Sequence, residues 1–129
     1  MNILDENILE SQRQLLRGWR IPVRQIGSDI GRKGMSDEDV LRVISQLPHA
    51  TFLTGDLRFY GASRCNRRYG LVLLAVRQNE VAHFVRRFLR HPAFNSRAKR
   101  VGAVVRVSHG GLSVWRLHEA AEIRLPWRL

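Results

Sequence analysis

Residues 71–76 read LVLLAV, six apolar side chains with no polar position among them. A strand with one wet face alternates apolar and polar residues. An unbroken run of this length fits a strand covered on both faces, as in parallel sheets whose crossover connections lay helices on each side. A chain built around such a strand has to supply those helices, and the neighbouring sequence does. Ile8, Leu9, Leu15 and Leu16 have helical spacing over residues 7–17, and Gly18 is a stop signal. Ser36 is a good N-cap, with Asp39 three residues on as a variant capping box. Val40, Leu41, Ile44 and Leu47 then form an apolar face, and Pro48 ends the helix. A third helix follows LVLLAV, with Val81, Phe84, Val85 and Phe88 on one side.

The strand signals fall between these helices. Ile3-Leu4 is a short strand tail, IPVRQIG (21–27) a second strand and ATFLT (50–54) a third. DLRFYGASRCNRRYG is a polar, basic, turn-rich connection, and HPAFNSRAKR a basic connector. VGAVVRVSHGGLSVWRL, from residue 101, reads as a hairpin around Gly110-Gly111. The order β-α-β-α-β-(α)-β-α followed by a hairpin predicts an α/β fold: three layers, α/β/α, around a central mostly parallel sheet. At 129 residues it is one domain. Residues 1–95 are expected to form the α/β unit, with 96–129 a hairpin extension packed on it.

Charge narrows the class of partner. Residues 1–56 hold eight of the eleven acids and seven basic residues; residues 57–129 hold three acids and fifteen basic residues. A basic half points to a polyanion, nucleic acid first, with an acidic protein surface as the plainer alternative. No apolar run is long enough to span a bilayer and no leader pattern opens the chain, so a cytoplasmic protein with no membrane partner is expected. The single Cys65 agrees with a reducing compartment.

Against that basic background the acids are placed with a pattern. In open α/β sheets, sites form beyond the carboxyl ends of the strands. Asp5 follows the first strand and Asp56 follows ATFLT, while Asp37, Glu38 and Asp39 open a helix that starts at the same edge. Two to four carboxylates suffice for a hard cation that keeps much of its water. Such an ion activates water and stabilises charge on a phosphate oxygen. Each acid also has a structural reading: Asp5 or Glu6 as a helix cap, 37–39 as dipole partners, Asp56 as a turn residue. No glycine-rich phosphate loop follows a strand, which argues against a nucleotide phosphatase.

Three blocks carry a resemblance: LDEN (4–7), DIGRKGMSDEDV (29–40) and FLTGDLRF (52–59), in that order and spacing. The chain resembles the PIN-like domains, in particular short ones that open with a strand followed by Asp-Glu-Asn. The resemblance spans about the first 60 residues, with LVLLAV and its helix fitting the next units. It implies a Rossmann-like sheet and a Mg²⁺- or Mn²⁺-dependent endoribonuclease centre, often the toxin of a toxin–antitoxin pair. Carried over, Asp5, Asp37 and Asp56 are the catalytic metal-holding acids, Glu38 stands in for Asp37, and Glu6 and Thr54 support them. One departure stands out. The third block commonly reads Asp-x-Asp-Phe, and Arg58 occupies the second acidic place here. Arginine cannot bind a metal cation, but it can pair with Asp56 or hold a phosphate. Asp29 is the other acid available between the first strand and the SDED helix.

RNA contacts are expected from Arg58, from Arg64, Arg67 and Arg68 beside Tyr60 and Tyr69, and from Arg86 and Arg87, with a solvated basic loop and the water-facing side of a helix as the plainer readings of the last two groups. Arginines hold phosphates and aromatics stack on unpaired bases. The five histidines have no zinc-like spacing. Cys65 sits among arginines, whose charge acts to lower a thiol pKa, but it has no partner pattern for catalysis and reads as an ordinary surface thiol. The strand edge of the hairpin offers a place for an antitoxin or for a second copy in a homodimer. The alternative function is the same fold without catalysis, binding nucleic acid or an acidic partner, and the direction in which Arg58 points discriminates the two.

Overall fold

The computed structural model describes residues 1–128. Its elements in chain order are β1 (Asn2–Leu4), α1 (Glu10–Gly18), β2 (Arg24–Gln25), α2 (Asp37–Ser45), β3 (Ala50–Thr54), β4 (Tyr69–Leu74), α3 (Val81–Arg90), α4 (Arg97–Arg100), β5 (Ala103–Ser108), β6 (Gly111–Arg116) and β7 (Ile123–Leu125). Among the described residues one sheet of seven strands runs in the order β2-β1-β3-β4-β5-β6-β7. The first five strands are parallel; β6 and β7 are antiparallel to their neighbours. LVLLAV supplies most of β4, which is buried at every position, as its composition requires.

Two apolar clusters lie on the two faces of this sheet. On one face Leu4, Leu53, Val72, Leu74, Val105 and Val107 meet Leu16 of α1 and Phe84, Val85 and Phe88 of α3. On the other, Ile3, Phe52, Leu71, Leu73 and Val104 meet Val40 and Ile44 of α2, with Phe59 and Tyr69. The period-2 alternation of the strands thus sorts side chains between two helix layers, and the fold is a mostly parallel α/β fold consistent with three layers.

Local differences from the sequence reading have local causes. Helix α1 starts at Glu10 rather than near Asn7, because Asp5–Leu9 form a turn in which Ile8 N donates to the Asp5 carbonyl at 3.1 Å. IPVRQIG contributes only two strand residues, since Pro22 has no N–H to give a ladder. The hairpin turn is His109-Gly110, one residue earlier than expected, and Gly111 belongs to β6. Gly111 has φ +145°, and a Cβ there would lie 2.7 Å from the Leu125 carbonyl oxygen, so its bareness lets β7 pair alongside. β7 itself lies in a polar tail with no alternation to reveal it. The basic connector contains α4, capped by Ser96 Oγ accepting from Lys99 N at 3.3 Å.

The residues from Val101 onward join the parallel sheet directly, with β5 pairing β4 from Leu71↔Val104 to Leu74↔Val107. The end of α4 presses on β4: a Cβ on Gly70 would overlap the Arg100 carbonyl. Backbone cannot yield as a flexible side chain can, so Gly70→Ala is expected to destabilise the fold by about 1–3 kcal/mol. A urea midpoint unchanged in that variant would show that α4 is loosely docked.

Candidate functional site

The parallel strands end together, and the acids stand at that edge. Asp5 is pinned as β1 leaves the sheet, its N–H donating to Leu53 O at 2.9 Å. Thr54 closes β3 and is fully buried. Its hydroxyl donates to Asp5 Oδ2 at 2.6 Å and accepts from Asp56 N at 3.0 Å. One side chain therefore fixes two acids from separate strands relative to each other. Burial pushes the Asp5 carboxyl above its ordinary value, helped by the charges of Glu6 and Asp56 and opposed by the Thr54 hydroxyl and the Glu6 backbone. Because the hydroxyl favours the ionised form, Thr54→Val is expected to raise the Asp5 pKa further. A carboxyl ¹³C titration reads this directly, and a titration curve that does not move would remove Thr54 from its supporting role.

Among the described residues no arginine, lysine or histidine forms a salt bridge with Asp5. That is unusual in a chain of net charge +11. Asp56 is the opposite case. Arg58 Nε lies 3.0 and 3.1 Å from its two oxygens, and Arg58 Nη2 lies 2.6 Å from Oδ2. This guanidinium holds the Asp56 carboxyl below its usual range despite some burial. The same Nη2 is 3.6 Å from Asp37 Oδ2 at the start of α2. At this edge Thr54 joins Asp5 to Asp56, and Arg58 joins Asp56 to Asp37.

The remaining acids are engaged elsewhere. Glu6 accepts from Gly34 N at 3.1 and 3.2 Å and so ties down the glycine-rich loop before α2. Asp29 accepts from Arg13 at 2.9 and 3.2 Å and from Gln25 N at 2.9 Å, a structural clamp. Glu38 is exposed at the start of α2. Asp39 pairs with Arg42 at 3.0 Å on the solvent side of α2. Among the described residues no three His, Cys, Asp or Glu side chains stand close enough to grip one ion. What fits a hard cation is the pair Asp5 and Asp56, which share a cleft of about 450 Å³ with room for the water that Mg²⁺ or Mn²⁺ retains.

That cleft brings in two residues to which the sequence reading gave no role. Asn7 and Gln78 line it beside the apolar Ile8, Leu74 and Val76. Asn7 stands inside the LDEN block, and Gln78 follows the β4 strand at the same carboxyl edge, so the edge rule would have found both. Next to it, Glu80 bonds His109 Nε2 at 3.1 Å, linking the start of α3 to the β5–β6 turn.

The arginines expected to hold RNA do not form one surface. Arg64 lies over the Phe59 ring at 5.6 Å, and with the exposed Arg67 and Arg68 it belongs to the loop covering the α2 face of the sheet. Arg86 and Arg87 belong to α3 on the other face, stacked on Trp19 at 3.8 Å and Trp127 at 4.3 Å. Burial pushes the Cys65 thiol up, opposite to the lowering that its arginine neighbours suggested.

No protein-family model, curated protein or solved structure matches this chain. Among the described residues no helix is long and apolar enough to cross a membrane.

Proposed function

We propose that this chain is a PIN-like endoribonuclease domain that cleaves RNA at the carboxyl edge of its sheet with Mg²⁺ or Mn²⁺ held by Asp5 and Asp56. The single observation behind this reading is Asp5 itself, a half-buried carboxylate fixed by a buried threonine, with twenty-two basic residues in the chain and a salt bridge to none of them among the described residues. Burying a charge without a partner is costly, and a site that keeps one is built for a cation from solution. A divalent ion bound there would polarise the scissile phosphate and lower the pKa of a coordinated water.

The chain's own groups do the rest. Thr54 holds Asp5 and the Asp56 backbone in fixed relation. Asn7 and Gln78 offer amide donors and acceptors to the ribose and phosphate oxygens. Arg58, three-quarters exposed on its side chain, can turn from Asp56 and Asp37 to an incoming phosphate. Asp37 is then released toward the cleft. A toxin role with a partner antitoxin belongs to the same proposal.

Arg58 also favours a second reading. In the structure it already neutralises Asp56 and Asp37, as expected if the domain binds RNA or an acidic protein without cutting. Incubation of single-stranded RNA with the protein in Mn²⁺, in Mg²⁺ and in EDTA separates the two. Cleavage in metal and none in EDTA supports the nuclease. Retention of RNA with no cleavage in either metal overturns it in favour of the binding module.

A further inference from the structure

At the opposite, amino edge of the sheet lies a larger cleft of about 680 Å³. It is formed where the chain enters β1, β2, β3 and β5. Arg17, Arg20, Arg24, Arg97 and Arg100 all line it, and among the described residues no acidic one does. Of these five, only Arg17 has a carboxylate in salt-bridge range among the described residues, Asp29 at 3.7 Å.

Arg100 is the telling member. It is 7% exposed, and its hydrogen bonds go to neutral groups, Nε to Thr51 Oγ1 at 3.0 Å and Nη1 to Phe94 O at 2.8 Å. Its Nη2 has no protein partner among the described residues. A buried guanidinium held by neutral acceptors is fixed in place while its charge stays uncompensated. Burial, and then the charge of Arg97, push its pKa down, so the strain is electrostatic. Asn2 adds a second polar group without a partner: its Oδ1 is buried and unbonded while its Nδ2 donates to Pro22 O at 3.2 Å. The rest of the wall is apolar, with Ile21, Val23 and Pro48.

We propose that this cleft binds a compact polyphosphate ligand of the nucleoside di- or triphosphate class, with Arg24, Arg97 and Arg100 on the phosphates and the apolar wall against the base. Several arginines lining one open cleft fit clustered phosphate charges, which an extended backbone spreads along its length. The volume is that of a small-molecule site. The site is separate from the acidic edge and needs neither metal nor catalysis.

The test is calorimetric titration of the wild-type protein in EDTA with inorganic pyrophosphate, with ATP and with a short single-stranded RNA. Pyrophosphate and ATP are expected to bind, and the double variant Arg24→Glu/Arg97→Glu, both exposed positions, to weaken them by roughly tenfold or more. The charge-matched control Arg67→Glu/Arg68→Glu should leave both affinities unchanged. Asp5→Asn should also leave them unchanged, so failure here and failure of the nuclease reading are told apart. The proposal is overturned if wild type binds neither probe, if the two double variants lose affinity equally, or if only the RNA is bound and its binding is lost in Arg24→Glu/Arg97→Glu.

Discussion

Asp5→Asn is expected to abolish RNA cleavage and, at neutral pH, to make the protein more stable. The two effects have one cause. The carboxylate is held partly out of water with no cationic partner among the described residues, so its ionised form penalises the native state. Asparagine keeps an oxygen to accept from Thr54 and carries no charge. At a position where chemistry and stability conflict, the gain is about 0.5–2 kcal/mol. On the nuclease reading, loss of this acid should reduce the cleavage rate by at least about 100-fold. The pH dependence has a definite sign. A carboxyl whose native pKa is raised destabilises the fold above its unfolded value of 3.8 and ceases to do so when protonated. The stability advantage of Asp5→Asn should therefore be absent at the acid end. It should grow as pH rises from the unfolded value through the native one, and be constant above that. A helix-capping Asp5 predicts the reverse: the variant would be less stable at pH 7. Thermal unfolding at a series of pH values decides between them, whether or not an RNA substrate has been found.

The edge that carries this residue was legible because topology and composition agree there. LVLLAV permits little but a strand covered on both faces, and once the sheet is parallel its carboxyl edge collects whatever follows each strand. Asp5 and Asp56 come out of that rule directly. The rule says nothing about which acids a neighbouring chain segment will claim. Glu6, given a supporting role, and Asp29, the other acid available, are taken by Gly34 N and by Arg13, contacts between segments far apart in sequence. The amino-edge cleft was hidden for the same reason. Its arginines are spread from position 17 to position 100, each unremarkable alone, and only the return of four strands to one edge brings them together. β7 was missed because three residues pairing at a sheet edge need no alternation when neither face is deeply buried. At Cys65 desolvation of the thiol outweighs the charge in its sequence neighbourhood.

Arg58→Ala should tighten Mn²⁺ binding while weakening RNA binding. Arg58 is one positive charge held against Asp56 and Asp37, where it opposes a divalent ion sharing those carboxylates. A guanidinium at those carboxylates repels a dication twice as strongly as it would a single charge, and its removal should favour the metal accordingly. With the guanidinium gone, the Asp56 carboxyl should also rise from its lowered pKa toward the ordinary range, because its largest stabiliser is lost. The contribution of ionised Asp56 to stability is present above its unfolded pKa and lost as pH falls through the native one. In Arg58→Ala that contribution, and the acid-side loss that goes with it, should therefore shrink. RNA affinity should fall across sequences alike, with the salt dependence shallower by about one counterion, as for a phosphate contact. Arg58→Lys keeps the charge without the two-pronged grip on Asp56 and should lie between the two for metal and close to wild type for the salt slope. The combination of tighter metal and weaker RNA marks an arginine that yields its acids when substrate arrives. Tighter metal with RNA binding unchanged would make Arg58 a fixed counter-ion that closes the site. Metal binding unchanged in Arg58→Ala would take Asp56 and Asp37 out of the metal site and leave Asp5 without a partner, which the nuclease reading does not survive.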